Sequence, residues 1–141
     1  MEILKGTDLD LYQRLILASI VEKEAKYSDD FPVIAGILLK RLKNNKRLEV
    51  DATLIYEKCG FVYCNTSLTR EDLLRDSSYN TYRKSGLPPT PISNPGLLAI
   101  KSVNNPIETD YWYYLTDSEG RAIFAKTFSE HQRNIQKYLK K

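Results

Sequence analysis

The stretch LILASIVEKEA, residues 15–25, has the composition of a buried segment yet ends in two acids. It is apolar except for Ser19 as far as Glu22, and a second carboxylate, Glu24, follows almost at once. Since no Gly or Pro interrupts residues 9–26, we predict a single helix over that range. At about 100° per residue its apolar side chains lie almost all the way round, which is typical of a helix buried inside a domain.

Glu22 and Glu24 lie about 200° apart on a helix, so they cannot share one cleft. Either carboxyl could lie against apolar neighbours, where desolvation raises its pKa and keeps it protonated near neutral pH. That state is what a general acid for glycosidic cleavage requires. Alternatively, Glu22, Lys23 and Glu24 are solvated charges at a frayed helix end. Periodicity alone does not decide between these interpretations.

Other candidate catalytic groups are few. A glycosidase also needs a second carboxylate across the sugar, and Glu49 and Asp51 are the only nearby candidates. Asp51 immediately precedes a helical pattern, which favours a structural role as its N-cap. His131, the single histidine, lies among polar residues, so we predict a surface position for it and no histidine-based triad or metal site.

The rest of the chain has the patterns of short helices with one hairpin. Residues 77–96 hold four prolines and two glycines, and we predict a long irregular loop there. Such loops are uncommon in compact domains unless they are functional or disordered. The predicted elements are a helix over 9–26 with Thr7 as N-cap in a capping box with Asp10, helices over 31–43 and 51–59, a helical turn starting at Thr69, a helix capped by Asn94 and ending at about 104, a hairpin over 110–127, and a helix over 129–140. The fold class is therefore α+β, predominantly α-helical, with a small β-hairpin.

Length and charge restrict the classes of protein. The chain of 141 residues is long enough for one domain, and its net charge of +3 is spread without a basic arm. We therefore expect no nucleic-acid partner. No apolar run approaches the roughly 20 residues of a membrane span, and no secretory signal is present. Cys59 and Cys64 could form a disulfide across a tight hairpin, but they lack the further ligands that a zinc site needs.

Four sequence blocks stand in an order that matches a known family: ASIVEKEA (18–25), AGILLKRLKNNKRLEVDATLIY (35–56), YNTYRKSGLPPTPISNPG (79–96) and HQRNIQKYL (131–139). Together they resemble the catalytic domain of the endolytic murein transglycosylases, the YceG-like family. The resemblance covers essentially the whole chain and implies a lysozyme-like catalytic domain.

The resemblance implies cleavage of the β-1,4 bond between N-acetylmuramic acid and N-acetylglucosamine in peptidoglycan, with a 1,6-anhydro ring formed on the muramic residue. In such enzymes one glutamate is first acid, then base, so no carboxylate nucleophile is needed and no cofactor or metal is expected. In the family pattern the catalytic residue is the second acid of EKE. It corresponds to Glu24, which the resemblance selects over Glu22.

The same resemblance implies a role for the proline-rich loop in lining the glycan groove. Tyr79, Asn80, Thr81 and Tyr82 are the expected substrate contacts, with rings against sugar faces and polar groups on sugar substituents. The alternative is that this YNTY segment only ties the loop to the core. Asn94 is a further candidate substrate contact, or else a loop anchor or helix cap.

The family context adds expectations about setting. Family members carry an N-terminal membrane anchor and an accessory domain, so we interpret residues 1–141 as one catalytic domain lacking both. The expected location is the extracytoplasmic face of the bacterial inner membrane, with peptidoglycan strands and cell-wall synthesis proteins as partners. A different hypothesis is a peptidoglycan-binding or partner-docking module with little or no turnover.

Overall fold

Helices dominate the fold. The computed structural model describes residues 8–62 and 64–139. Its elements are α1 (Leu11–Glu24), α2 (Asp30–Lys43), α3 (Asp51–Lys58), α4 (Arg70–Leu74), α5 (Leu97–Asn104), β1 (Tyr113–Thr116), β2 (Ala122–Ala125) and α6 (Phe128–Asn134), which continues as a π-helical turn (Ile135–Leu139). Six helices and one two-stranded antiparallel sheet in these residues confirm the predicted α+β class.

Helix α1 is buried only in its second half. It begins at Leu11, where Asp10 is the N-cap and forms a capping box with Gln13. The expected Thr7 cap lies outside the described residues. Residues 16–21 are all buried, whereas Leu11 is 79% exposed, so the prediction of all-round burial is wrong for the first turns. The buried side chains in the second half of α1, other than Ser19, belong to the hydrophobic core.

The core is formed where α1, α2 and α5 pack together. Leu17, Ile34 and Val103 are among its fully buried side chains. Helix α2 approaches the backbone after α5 so closely that a Cβ on Gly36 would lie 2.2 Å from the carbonyl oxygen of Ile107. Only glycine permits this approach.

Two predicted helix caps are wrong. Helix α5 has Gly96 as its N-cap, so Asn94 lies outside the helix. Helix α3 has Val50 as its N-cap, and Asp51 is its first helical residue. The helical turn predicted to start at Thr69 is present as α4, and Thr69 is its N-cap, in a capping box with Asp72.

The predicted hairpin is present and is attached to the junction between α1 and α2. Tyr114 of β1 pairs with Phe124 of β2. Lys26 and Tyr27 donate hydrogen bonds to the carbonyl of Glu119 in the turn, at 3.2 and 3.0 Å. These bonds place β1 beside the C-terminal end of α1.

The loop over 77–96 is irregular, as predicted, and one of its attachments to the core is the buried Ser19 of α1. Ser19 Oγ accepts a hydrogen bond from the Ile92 N–H at 2.9 Å, and its carbonyl accepts one from Ser93 Oγ at 2.9 Å. Ser19 therefore joins α1 to the loop.

Cys59 and Cys64 form a disulfide just after α3. In the described part of the chain, no helix has the length and apolar character needed to cross a membrane.

Candidate active site

A cleft of about 470 Å³ opens where the end of α1 meets the start of α3, β1 and α6. Carboxylates and aromatic rings dominate its walls. The side chains that matter to its chemistry are Glu24, Asp51, Tyr82, Tyr114 and His131. They come from five separate segments, so only the folded chain brings them together.

Glu24 is half-buried at the last position of α1. Tyr114 Oη donates a hydrogen bond to Glu24 Oε1 at 2.5 Å. The pKa of Glu24 is raised to about 7, mainly by burial: the Tyr114 hydrogen bond lowers it, the negative charge of Asp51 raises it, and Arg41 lowers it. A large fraction of Glu24 is therefore protonated at neutral pH, which suits it to donate a proton.

Glu22 has a different position and role. Its Oε1 accepts a hydrogen bond from the Gly96 N–H at 3.0 Å, at the N-terminus of α5. A carboxylate there satisfies a backbone donor that the helix leaves unpaired and complements the helix dipole. Glu22 does not line the cleft.

Asp51 and Tyr82 form a hydrogen-bonded pair on the cleft wall. Tyr82 Oη donates to Asp51 Oδ1 at 2.5 Å. Burial raises the pKa of the Tyr82 hydroxyl, and its bond to the carboxylate raises it further, so it remains a hydrogen-bond donor. Glu49 also lines the cleft, and its backbone has a left-handed conformation, with φ of 54°.

Arg41 is a cleft residue that sequence reasoning missed. It is only 8% exposed, and its guanidinium donates to the carbonyls of Leu48 and Trp112. It also lies near the rings of Tyr113 and Tyr114. The sequence could have indicated this residue by its position on the buried face of α2, because a charged side chain there needs several hydrogen-bonding partners.

Within the YNTY segment, only Tyr82 lines the cleft. Tyr79 is buried and its hydroxyl pairs with Thr90 Oγ1 at 2.8 Å. The Asn80 amide donates to two carbonyls at the end of α4, and Thr81 Oγ1 bonds to the backbone of the residue that caps α3. Tyr79 thus packs in the core, and Asn80 and Thr81 bond the loop to α4 and α3.

Asn94 is also outside the cleft. It is exposed and lies on the wall of a separate shallow depression that includes Leu15, Ile92 and Pro95.

The surface position predicted for His131 is wrong. Its ring is half-buried, stacks on Tyr113 with centroids 5.2 Å apart and lines the cleft. Burial lowers its pKa, which favours the neutral ring. Tyr113 lies 18 residues earlier in the hairpin, and no local pattern links the two positions.

No three His, Cys, Asp or Glu side chains within residues 8–62 and 64–139 are arranged so that they could hold a metal ion. The cleft holds a carboxyl group with a raised pKa next to hydrogen-bonding tyrosines and a second acid, Asp51.

Comparison with known families agrees with the sequence blocks. The sequence model of the YceG-like family matches residues 2–137. The chain belongs to this family.

The chain is also similar to named relatives and to a solved structure of this family. This YceG-like chain is 35% identical to the endolytic murein transglycosylase of Bacillus subtilis (strain 168) and 33% identical to that of Streptococcus pneumoniae (strain D39), with 96% of the chain covered in each case. It covers 37% and 25% of the length of these two relatives. A crystal structure of a YceG-like protein from Listeria monocytogenes is similar with a TM-score of 0.83 and 35% identity, over 94% of this chain and 42% of that one.

Proposed function

We propose that this chain is the catalytic unit of an endolytic lytic transglycosylase that cleaves peptidoglycan strands between N-acetylmuramic acid and N-acetylglucosamine. The observation that carries the proposal is the Glu24 carboxyl, which lies at the end of a buried helix, lines the cleft, is hydrogen-bonded by Tyr114 and has a raised pKa. The relatives named endolytic murein transglycosylase support the substrate class.

The reaction needs one group that gives and then takes a proton. Neutral Glu24 donates its proton to the bridging glycosidic oxygen as the bond from that oxygen to C1 of the muramic residue breaks. The resulting carboxylate then accepts the proton of the 6-hydroxyl of the same residue while its oxygen bonds to C1. The product carries a 1,6-anhydro ring, and Glu24 is protonated again.

The neighbours of Glu24 have defined tasks in this scheme. Tyr114 orients the carboxyl through its hydrogen bond. The negative charge of Asp51 favours the protonated form of Glu24 before cleavage and stabilises positive charge on the sugar during cleavage. Tyr82, which is held by Asp51, is the loop residue that we propose contacts the glycan.

The proposed domain has a lysozyme-like arrangement, in which a buried helix ends in the catalytic glutamate and a small hairpin forms one cleft wall. The substrate would lie outside the cytoplasmic membrane, where peptidoglycan is found. We propose no cofactor, because acid–base chemistry by Glu24 is sufficient for every step. Cell-wall synthesis proteins remain proposed partners.

Digestion of purified sacculi tests the function, with products separated and weighed by mass spectrometry. We expect anhydro-muramic ends from the wild type and a loss of at least about 100-fold in the Glu24→Gln variant. Glu22→Gln is the matched control, because the amide oxygen can still accept the Gly96 hydrogen bond, and it should retain activity.

Each contrary result identifies a specific failure. Reducing muramic ends would indicate a hydrolytic muramidase instead. Unchanged activity in Glu24→Gln would exclude Glu24 as the acid. Strand binding without soluble product would favour a binding module. This is the second candidate function, because the chain covers only part of the length of its longer relatives.

A further inference from the structure

A second groove, of about 850 Å³, opens directly off the catalytic cleft. The two cavities share the side chains of Arg41, Glu49, Tyr113 and Phe128, so they form one continuous depression. A ligand held in the cleft can therefore extend into this groove. The proposed function leaves the groove without a role.

This groove is more basic than the cleft. Its walls carry five cationic side chains and a single carboxylate, Glu49. The exposed cations include Lys46, Arg47 and Lys126. Arg47 is only loosely paired with Glu49, at 3.9 Å. A concave surface lined by one sign of charge concentrates ligands of the other sign.

The segment that presents these cations has an unusual backbone. Asn45 and Glu49 both have positive φ values, 56° and 54°, and both line the groove. Hydrogen bonds hold the segment in place, from Lys46 N–H to the Arg41 carbonyl at 2.8 Å and from Glu49 N–H to the Thr81 carbonyl at 3.1 Å. Non-glycine residues in this conformation cluster at functional sites, because the surrounding structure must stabilise them.

The sugar backbone of peptidoglycan does not explain a basic groove. Its N-acetylated sugars carry no charge where the lactyl group of muramic acid is amide-linked to a peptide. The negative charges of the polymer are the free carboxylates of that stem peptide. We propose that the basic groove binds the stem-peptide carboxylates of the strand whose sugars occupy the cleft, so that this chain favours strands with charged peptides.

This inference rests on the proposed function, and a substrate that differs only in charge tests it. Strands whose peptide carboxylates have been converted chemically to amides keep their length and their sugars. We expect the wild type to cleave native strands roughly fivefold faster than amidated strands, measured as kcat/KM at low salt and expressed mainly in KM. The double variant Lys46→Gln/Arg47→Gln should cleave both kinds of strand at the lower rate.

A matched control separates the groove from overall charge. Arg70→Gln/Lys101→Gln removes one Arg and one Lys from exposed positions outside both cavities, and it should retain the wild-type preference. Equal cleavage of native and amidated strands by the wild type would overturn the inference. An equal loss of preference in the control variant would also overturn it.

A binding measurement keeps the inference testable if no cleavage occurs. Isothermal titration of the Glu24→Gln variant with a soluble disaccharide–tetrapeptide, native or amidated, measures the groove without turnover. Tighter binding of the native form, lost on adding Lys46→Gln/Arg47→Gln, would support the groove even if the proposed reaction were wrong. Equal affinities would refute the groove while leaving the reaction in place.

Discussion

At the scale of single residues, the charge state of Glu24 is set by neighbours that act in opposite directions. Burial and the negative charge of Asp51 favour the neutral carboxyl, while the Tyr114 hydrogen bond and the positive charge of Arg41 favour the carboxylate. Burial is the largest effect, so the neutral form predominates below about pH 7. The proposed reaction requires that form, so activity should decline as pH rises through this value.

Two substitutions should move that decline in opposite directions. Asp51→Asn removes a negative charge, which lowers the pKa of Glu24, so activity should be lost at lower pH than in the wild type. Tyr114→Phe removes the hydrogen bond that stabilises the carboxylate, which raises the pKa of Glu24 and moves the loss of activity to higher pH. The measurement is kcat/KM against pH for both variants.

The control for this pair is Tyr82→Phe, which removes the hydrogen bond to Asp51 but leaves both carboxyl groups. Tyr82→Phe should weaken substrate binding, and its pH profile should lie between those of Asp51→Asn and Tyr114→Phe. Shifts of the same sign in Asp51→Asn and Tyr114→Phe would contradict the electrostatic account.

The two acids also show what the sequence could not decide. The helical angle correctly predicts that Glu22 and Glu24 point away from each other. Their different surroundings depend on Gly96 and Tyr114, which are 74 and 90 residues away along the chain. Periodicity holds no information about such partners, so the choice of Glu24 came from the resemblance.

At the scale of elements, the helices and the hairpin follow from local signals, while their attachments do not. The Thr69 capping box and the turn around DSEG are local, and both were predictable. Gly96, in contrast, is the N-cap of α5 beside Glu22, a contact that the local Asn-Pro pattern could not reveal. The YNTY segment was ambiguous for the same reason, because its bonds reach the end of α4 and the start of α3.

The Ser19 hydroxyl is predicted to be important for docking the proline-rich loop. Ser19→Ala leaves the buried N–H of Ile92 without its acceptor, which should lower the free energy of unfolding by about 1–3 kcal/mol. Urea denaturation measures this loss. Ser78→Ala, at an exposed loop position, is the control and should change stability by less than about 0.5 kcal/mol. A neutral Ser19→Ala variant would show that the loop is held by other contacts.

The contact of α2 with the backbone after α5 gives a second stability prediction. In Gly36→Ala the added methyl group would overlap the carbonyl of Ile107, so the helix or that segment must shift, at a cost of about 1–3 kcal/mol. Thermal and urea unfolding should both report the loss. In Gly96→Ala the nearest atom lies 3.4 Å from the new Cβ, and the effect should be smaller. Equal effects at the two positions would contradict the proposed close approach.

At the scale of the whole molecule, the active site and the stability of the fold are in conflict. The core of α1, α2 and α5 ends at the cleft, and Glu24 lies where burial makes ionisation unfavourable. An unfolded chain would ionise Glu24 near pH 4.5, whereas the folded chain does so near pH 7. The proton that Glu24 would donate in the proposed reaction therefore also makes the stability of the fold depend on pH.

The sign of this dependence is fixed by the raised pKa. Between about pH 4.5 and 7 the folded state holds a proton that the unfolded state has released, so the contribution of Glu24 to stability falls as pH rises. Across that window the loss is at most on the order of 3 kcal/mol. Glu24→Gln removes the ionisation, so the variant should match the wild type at pH 4 and be more stable at pH 8 by up to about 3 kcal/mol. Urea denaturation of both proteins at the two pH values provides the test. Glu22→Gln is again the control, and a gain in stability at pH 8 in that variant as large as in Glu24→Gln would show that the effect does not belong to the buried acid.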